Sequence, residues 1–191
     1  MLENAHAIIM AIWLAYGGVW LLTAFRLKPI AQQTGSASRM WQLLILACGA
    51  EMLFSESPQI VELNARYLPP LAGLVGVGIA LAAVGAAFSI VARLCLGQNW
   101  SATATIKQDH ELIRTGPYSL VRHPIYTGTL VAAIGSAIAF GELRDLLALP
   151  VFVVGFWLKA RSEECLLMSN FGDRYAAYRR EVRGAIIPYL L

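Results

Sequence analysis

Apolar runs long enough to cross a bilayer are the feature that most constrains how this chain folds. Residues 7–26 are almost entirely apolar, and a helix of about 20 such residues crosses the ~30 Å hydrocarbon core of a membrane. Hydrophobic residues make up 58% of the chain and charged residues only 14%, whereas soluble domains carry about 25% charge. The sequence therefore predicts an integral membrane protein.

Five such runs predict an all-α, polytopic protein in which residues 1–191 form one membrane-embedded domain. The predicted transmembrane helices cover residues 7–26, 40–60, 69–96, 124–140 and 144–162. The short polar turn at 141–145 implies that the last two form a helical hairpin, with antiparallel helices packed against each other. The third run carries glycines that favour close helix packing, namely Gly73, Gly76, Gly78 and Gly85.

The lysines and arginines are distributed unevenly between the two sides that five spans define. Thirteen of the fifteen fall in the first loop, the third loop and the C-terminal tail, and only Arg66 and Arg144 fall on the other side. Because positively charged loops stay in the cytoplasm, we expect the N-terminus outside and the C-terminus in the cytoplasm. An odd number of spans is consistent with that orientation.

Several classes of protein find no support in the composition. A net charge of +3 with no basic, aromatic-rich face does not indicate nucleic-acid binding. The cysteines Cys48, Cys95 and Cys165 form no CxxC pair, so we expect neither a disulfide framework nor a metal site. The sequence shows no internal repeat, so it gives no support to an inverted-repeat transporter. The sequence does not indicate an oligomeric state.

Motif-like polar residues gather on the predicted cytoplasmic side, in residues 97–128 and 159–188. Taken singly, each has a purely structural interpretation. Trp100 suits an interfacial anchor, Pro124 suits the first turn of a helix, and Lys159 with Glu163 suits an exposed ion pair of small energetic effect. Their joint occurrence instead predicts a binding site at the membrane surface.

Taken in order, these segments resemble the isoprenylcysteine carboxyl methyltransferase family, including its prokaryotic members, and more distantly the phospholipid methyltransferases. The resemblance covers residues 96–188. It is carried by LGQNWS (96–101), HELIRTGPY (110–118), RHPIYTG (122–128), EE (163–164), FGDRYAAY (171–178) and IIP (186–188). Each segment alone is weak, whereas the ordered set is specific.

The resemblance implies a methyltransferase whose cofactor, S-adenosylmethionine, binds at the cytoplasmic face. It places cofactor contacts at His110, Glu111, Leu112, Ile113, Tyr118, His123, Pro124, Ile125, Tyr126, Glu163 and Glu164. Lys159 is expected to face the substrate, at a position where the family has Arg. Lys is a point charge rather than a planar fork, which weakens an expectation of bidentate carboxylate recognition. Arg122, Lys159 and Glu163 are the expected catalytic residues.

The chemistry of these side chains agrees with that implication. Aromatic and imidazole faces suit adenine, and a sulfonium over an aromatic face makes a cation–π contact. The Glu163 carboxylate suits ribose hydroxyls or an amino group. A carboxylate acceptor is already anionic at pH 7, so methyl transfer needs positioning and desolvation rather than a general base. Lys159 or Arg122 would orient that acceptor.

The expected function is methyl transfer to a lipophilic small-molecule or lipidated substrate, above all the carboxylate of a prenylcysteine. Fatty acids, lipid amines and thiols stay open as acceptors. We expect contact with membrane lipid, no nucleic-acid partner, and a prokaryotic plasma membrane with the site facing the cytoplasm. One alternative is an NADPH-dependent enzyme resembling sterol reductases, suggested by Ile186-Ile187-Pro188-Tyr189. The other is a non-catalytic membrane scaffold.

Overall fold

The computed structural model describes residues 2–25, 27–55 and 61–187, so Met1, Arg26, residues 56–60 and Pro188 with the residues after it lie outside the described residues. Helices make up most of the described chain. They are α1 (Leu2–Ala24), α2 (Ser36–Phe54), α3 (Ala72–Leu96), α4 (Pro124–Phe140), α5 (Leu143–Phe171) and α6 (Asp173–Glu181). Short 3-10 helices cover Val61–Asn64, Gly97–Asn99 and Gly116–Ser119.

Each of the five predicted spans corresponds to a long helix. Among the described residues, two helices combine the length and apolar character that crossing requires, Asn4–Ala24 and Ala72–Asn99, with mean hydropathies of 1.9 and 2.4. Helix α4 is also apolar but has 17 residues. The five-span count and the orientation therefore stay predictions.

Small residues let α3 and α4 approach until their backbones touch. A Cβ atom added to Gly85 would lie 2.4 Å from the Ala132 backbone nitrogen, and one added to Gly135 would lie 2.3 Å from the Ala82 nitrogen. Such distances leave no room for any side chain, and close packing of this kind is how helices associate in lipid. The predicted packing role is confirmed for Gly78 and Gly85, whereas a Cβ on Gly73 or Gly76 would meet nothing within 4 Å.

The predicted hairpin forms at the residues expected. Gly141 ends α4 with a φ of 72°, a left-handed conformation that glycine adopts without strain. Glu142 and Asp145 then form a capping box that starts α5. Helix α5 runs to Phe171, nine residues past the predicted end of the span at 162. It packs against α4, as the hairpin implies, and more extensively against α2.

Loops predicted to share one side of the membrane meet in the structure. At one end, strand β1 (Ile30–Gln33) pairs antiparallel with β2 (Thr105–Lys107). At the other end, the Tyr67 N–H donates to the Gly141 carbonyl at 2.8 Å. The small sheet corrects the all-α prediction. Strands of four and three residues are too short to show a period, and they form only because they pair across more than 70 residues of sequence.

Candidate active site

A cavity opens at the β1–β2 end of the helices, between the third loop and α5. Its empty space, with the open mouth included, is about 760 Å³. Most of the predicted site residues line it. These are His110, Glu111, Leu112, Ile113, Tyr118, Arg122, His123, Ile125, Tyr126 and Glu163.

A carboxylate held between a phenol and an imidazole forms part of the cavity wall. The Tyr126 hydroxyl donates to Glu163 Oε1 at 2.6 Å, and His123 Nδ1 lies 3.4 Å from Glu163 Oε2. The His123 and Tyr126 rings stack 5.3 Å apart at an angle of 3°. Pro124, at the first position of α4, starts the helix directly after His123. The start of α4 and the far part of α5 thus bring the two predicted halves of the site together.

A second carboxylate, Glu164, lies outside the cavity lining and joins three cationic side chains. The Arg122 Nε donates to Glu164 Oε1 at 2.7 Å, while Arg179 Nε lies 3.6 Å from Oε2. His123 Nε2 lies 3.5 Å from Oε1, a long contact. Burial opposes ionisation, but these neighbours outweigh it and lower the pKa of Glu164 to about 2. The cavity geometry favours a positioning role for Glu164 over the expected cofactor contact.

Arg122 holds the C-terminal segment against α4. Besides Glu164, its guanidinium donates to the carbonyls of Val182 at 2.8 Å and Arg183 at 2.6 Å. The Arg122 backbone N–H donates to the Gly184 carbonyl at 3.0 Å. Several of its donors are therefore engaged within the protein. This geometry favours a positioning role over the expected catalytic one.

The protonation of His123 predicts how stability depends on pH. Burial lowers its pKa, but the Glu163 and Glu164 carboxylates more than compensate and raise the pKa above the usual value. This stabilisation is fully present below the unfolded pKa of about 6.5 and is lost as pH rises through the folded pKa.

We expect the melting temperature in detergent to fall as pH rises from 6.5 to 9, and the fall to be smaller in a His123→Gln variant. A thermal-unfolding series over that pH range measures both slopes. Equal slopes for the two proteins would show that His123 does not carry the charge.

His110 also lines the cavity, as a neutral imidazole. Burial lowers its pKa, and the charges of Lys28 and Lys107 lower it further. The Lys107 backbone N–H donates to His110 Nδ1 at 3.2 Å, so the ring proton sits on Nε2. The ring lies 5.8 Å from that of Phe171. His110 therefore offers a neutral donor within an apolar wall.

Lys159 lies behind Tyr126 rather than on the exposed surface. It is 8% exposed, and its Nζ lies 5.2 Å from the centre of the Tyr126 ring. The interpretation of Lys159 and Glu163 as an exposed ion pair is therefore wrong. Arg161 lies over Trp157, 5.0 Å from the ring centre. Lys159 therefore lies next to a ring of the site without lining the cavity itself.

Sequence reasoning did not assign a role to several residues that line the cavity. They come from the 96–101 and 171–178 segments, from β2 and its approach, and from α5: Leu96, Asn99, Trp100, Ser101, Thr103, Thr105, Leu167, Tyr175 and Tyr178. The ordered motifs contained most of them, and that was the available signal. Pro124, Glu164 and Lys159 are expected residues that do not line the cavity. The part of the chain that the structure describes contains no group of three or more His, Cys, Asp and Glu residues able to hold a metal ion.

Comparison with known proteins places this fold and cavity in a family. Residues 74–174, more than half of the chain, match the model of the phospholipid methyltransferase family. The chain belongs to that family of membrane proteins. The matched region contains α4, almost all of α3, the third loop and the cavity-lining part of α5.

Individual proteins similar to this chain include an isoprenylcysteine methyltransferase and a metal-resistance protein. The protein-S-isoprenylcysteine O-methyltransferase of Schizosaccharomyces pombe is 31% identical over 113 residues, covering 51% of this chain and 48% of that protein. The cobalt-zinc-cadmium resistance protein CzcN of Cupriavidus metallidurans is 29% identical over 148 residues, covering 74% of this chain and 59% of that protein. The chain spans about half the length of the isoprenylcysteine methyltransferases it matches.

A solved structure shares the fold. It is the eukaryotic intramembrane Ras methyltransferase ICMT (isoprenylcysteine carboxyl methyltransferase), solved without a monobody. The TM-score is 0.54 and the sequence identity 25%, over 79% of this chain and 53% of that one. The predicted resemblance to isoprenylcysteine methyltransferases is confirmed by fold and by sequence.

Proposed function

We propose that this protein is a membrane methyltransferase that uses S-adenosylmethionine and methylates the carboxylate of a prenylcysteine-like substrate. The observation that carries the proposal is the Glu163 carboxylate, fixed by Tyr126 and His123 in the wall of an aromatic-lined cavity. The family match and the names of the relatives favour methyl transfer over the sterol-reductase-like alternative. The ordered cavity favours an enzyme over a non-catalytic scaffold.

The donor set of the cavity fits S-adenosylmethionine. Glu163 would hold the cationic part of the cofactor, and the rings of Tyr118 and Tyr126 would contribute aromatic contacts. His110 Nε2–H and the apolar Ile113 suit the nucleoside part. When bound, the cofactor supplies an electrophilic methyl group on a sulfonium. This fit predicts measurable binding of S-adenosylmethionine by calorimetry in detergent.

The chemistry left to the protein is positioning and exclusion of water. In such a transfer an acceptor carboxylate oxygen would bond to the methyl carbon as the carbon–sulfur bond broke, and the products would be a methyl ester and a neutral thioether. No proton moves, so no general base is required. The protein orients the two reactants in line and keeps water from the polar centre. The apolar body of the substrate would stay within the lipid-facing part of the helices.

We propose that Lys159 orients the acceptor carboxylate. It is a buried basic residue 5.2 Å from the centre of the Tyr126 ring, and it lies on α5 one turn before Glu163. A Lys159→Met variant is expected to raise the KM for N-acetyl-S-farnesylcysteine about tenfold or more, because a hydrogen bond to a charged group is lost. Its Kd for S-adenosylhomocysteine should stay within about twofold of the original.

A Lys159→Arg variant keeps the charge and should recover much of the acceptor affinity. Steady-state kinetics with varied acceptor, together with calorimetry, separates the two effects. A Lys159→Met protein with an unchanged KM would show that the acceptor is oriented elsewhere.

We further propose that the cavity faces the cytoplasm of a prokaryotic cell and that the substrate reaches it from the membrane as a lipidated molecule. The support is the concentration of Lys and Arg in the loops at the cavity end. In a protein whose free cysteines Cys48, Cys95 and Cys165 are replaced by Ser, a cysteine introduced at the exposed Gln98 should be labelled by a membrane-impermeant maleimide only after the cells are opened. Labelling in intact cells would show that the cavity faces outside the cell, contrary to the proposal.

A further inference from the structure

Asn99 is a buried side chain of the cavity wall that the chemistry above does not use. It ends the 3-10 helix Gly97–Asn99 and is 6% exposed. The Lys28 ammonium donates to its Oδ1 at 3.3 Å, and the Glu111 backbone N–H donates to the same atom at 3.4 Å. Two donors that converge on one atom require it to be the amide oxygen, so the orientation of the amide is fixed.

The amide nitrogen of Asn99 is consequently turned away from both donors. Among the described residues the hydrogen bonds of the Asn99 amide are those two, both accepted by Oδ1, and Asn99 lines the cavity. Buried polar groups normally have partners. A fixed, unpartnered donor in a cavity wall is the arrangement by which a site recognises an acceptor atom of its ligand and rejects ligands without one.

From this arrangement we infer that Asn99 is a specificity-determining residue that donates a hydrogen bond to a ring nitrogen of adenine. The inference rests on the proposed cofactor. Because the Lys28 ammonium lies beside Asn99, the cationic parts of the cofactor are disfavoured there and belong at Glu163. Trp100 and Leu112, which flank the two polar contacts in sequence, also line the cavity, and apolar walls suit a flat base better than a hydrated carboxylate.

Lys28 is then a positioning residue that acts through Asn99. Its ammonium also donates to the Asp109 carbonyl at 2.6 Å, which ties the loop after α1 to the loop that carries His110. Lys28 precedes residues 74–174, the part of the chain that matches the family. The orientation of Asn99 therefore depends on a residue outside that matched part.

The test compares the binding of S-adenosylhomocysteine with that of its 1-deaza, 3-deaza and 7-deaza adenine analogues. The variant is Asn99→Asp, which keeps an oxygen for Lys28 and Glu111 to contact, replaces the amide donor by a second carboxylate oxygen and adds one negative charge. We expect its Kd for S-adenosylhomocysteine to rise about tenfold or more, since a donor becomes an acceptor facing an acceptor. One of the three analogues lacks the ring nitrogen that Asn99 contacts. For that analogue, the Kd of the variant should exceed the Kd of the original protein by only about twofold.

Two controls separate the possible outcomes. Gln98→Glu makes the same chemical change on the neighbouring, exposed side chain and should leave every Kd within about twofold. Lys28→Met should weaken the binding of S-adenosylhomocysteine. The loss of affinity should be smaller for the analogue that lacks the contacted nitrogen. Suppose that the unmodified protein binds S-adenosylhomocysteine, but that Asn99→Asp raises the Kd by the same factor for every analogue. The proposed adenine contact is then wrong. If the unmodified protein binds none of the probes, the proposed cofactor is wrong.

Discussion

Replacing Glu163 by Gln is expected to weaken S-adenosylmethionine binding by about a hundredfold, the largest functional effect of any single change in the cavity. Glu163 is the carboxylate that Tyr126 and His123 hold toward the cavity. Removing its charge removes attraction for a cation in a partly desolvated site, where charge-assisted contacts contribute about 1.5–3 kcal/mol or more. Calorimetry in detergent measures the Kd directly.

The control for this variant is Glu181→Gln, at the end of α6. Glu181 is exposed and pairs with Arg114 at 3.6 Å, so the same chemical change occurs at a carboxylate that does not line the cavity. The control should bind S-adenosylmethionine within about twofold of the original protein. If the Glu163→Gln protein retained both its melting temperature and its affinity, Glu163 would not contribute to cofactor binding.

Enlarging Gly135 to Ala is expected to cause the largest loss of stability of any single methyl group added to the described helices. Its new Cβ would lie 2.3 Å from the Ala82 nitrogen and 2.6 Å from the Gly78 carbonyl oxygen. Both neighbours are backbone atoms, so α3 and α4 must separate along their contact. Overpacking usually costs about 1–3 kcal/mol of stability. Because a whole helix must move, we expect the loss for this variant to be at or above the upper end of that range.

The matched control for that change is Gly76→Ala, a glycine on α3 whose added Cβ would meet nothing within 4 Å. Because Ala is the better helix former by about 1 kcal/mol, this variant should be neutral or slightly stabilising. Thermal unfolding in detergent compares the two variants. Equal melting temperatures would show that the helices are not in backbone contact at Gly135.

The helical framework could be predicted because its causes are local. Apolar runs set the positions of the long helices, and the turn chemistry at Gly141 and Glu142 set the hairpin. Which helices touch could not be read in the same way. The α3–α4 contact depends on glycines of two helices falling into register, and only those on α3, such as Gly78, were noticed as candidates.

The candidate site was predicted mainly from motifs whose order in the chain is specific. Those motifs placed Tyr126 and Glu163 in one site, and the structure brings them to a 2.6 Å hydrogen bond. They could not distinguish a side chain that lines the cavity from one that supports it. Glu163 and Glu164 are adjacent in sequence, yet their successive positions on α5 direct one toward the cavity and the other toward Arg122. That difference depends on helix rotation, which no motif records.

The measurement that tests the central claim most directly is methyl transfer in proteoliposomes, with methyl-labelled S-adenosylmethionine and N-acetyl-S-farnesylcysteine as acceptor. A methyl ester releases labelled methanol in base, whereas methylated amines and thioethers do not. The proposed function predicts base-labile label with the original protein and with Glu181→Gln, and none above background with Glu163→Gln. Label that is stable to base, or no label with the original protein, would contradict carboxylate methylation of a prenylcysteine.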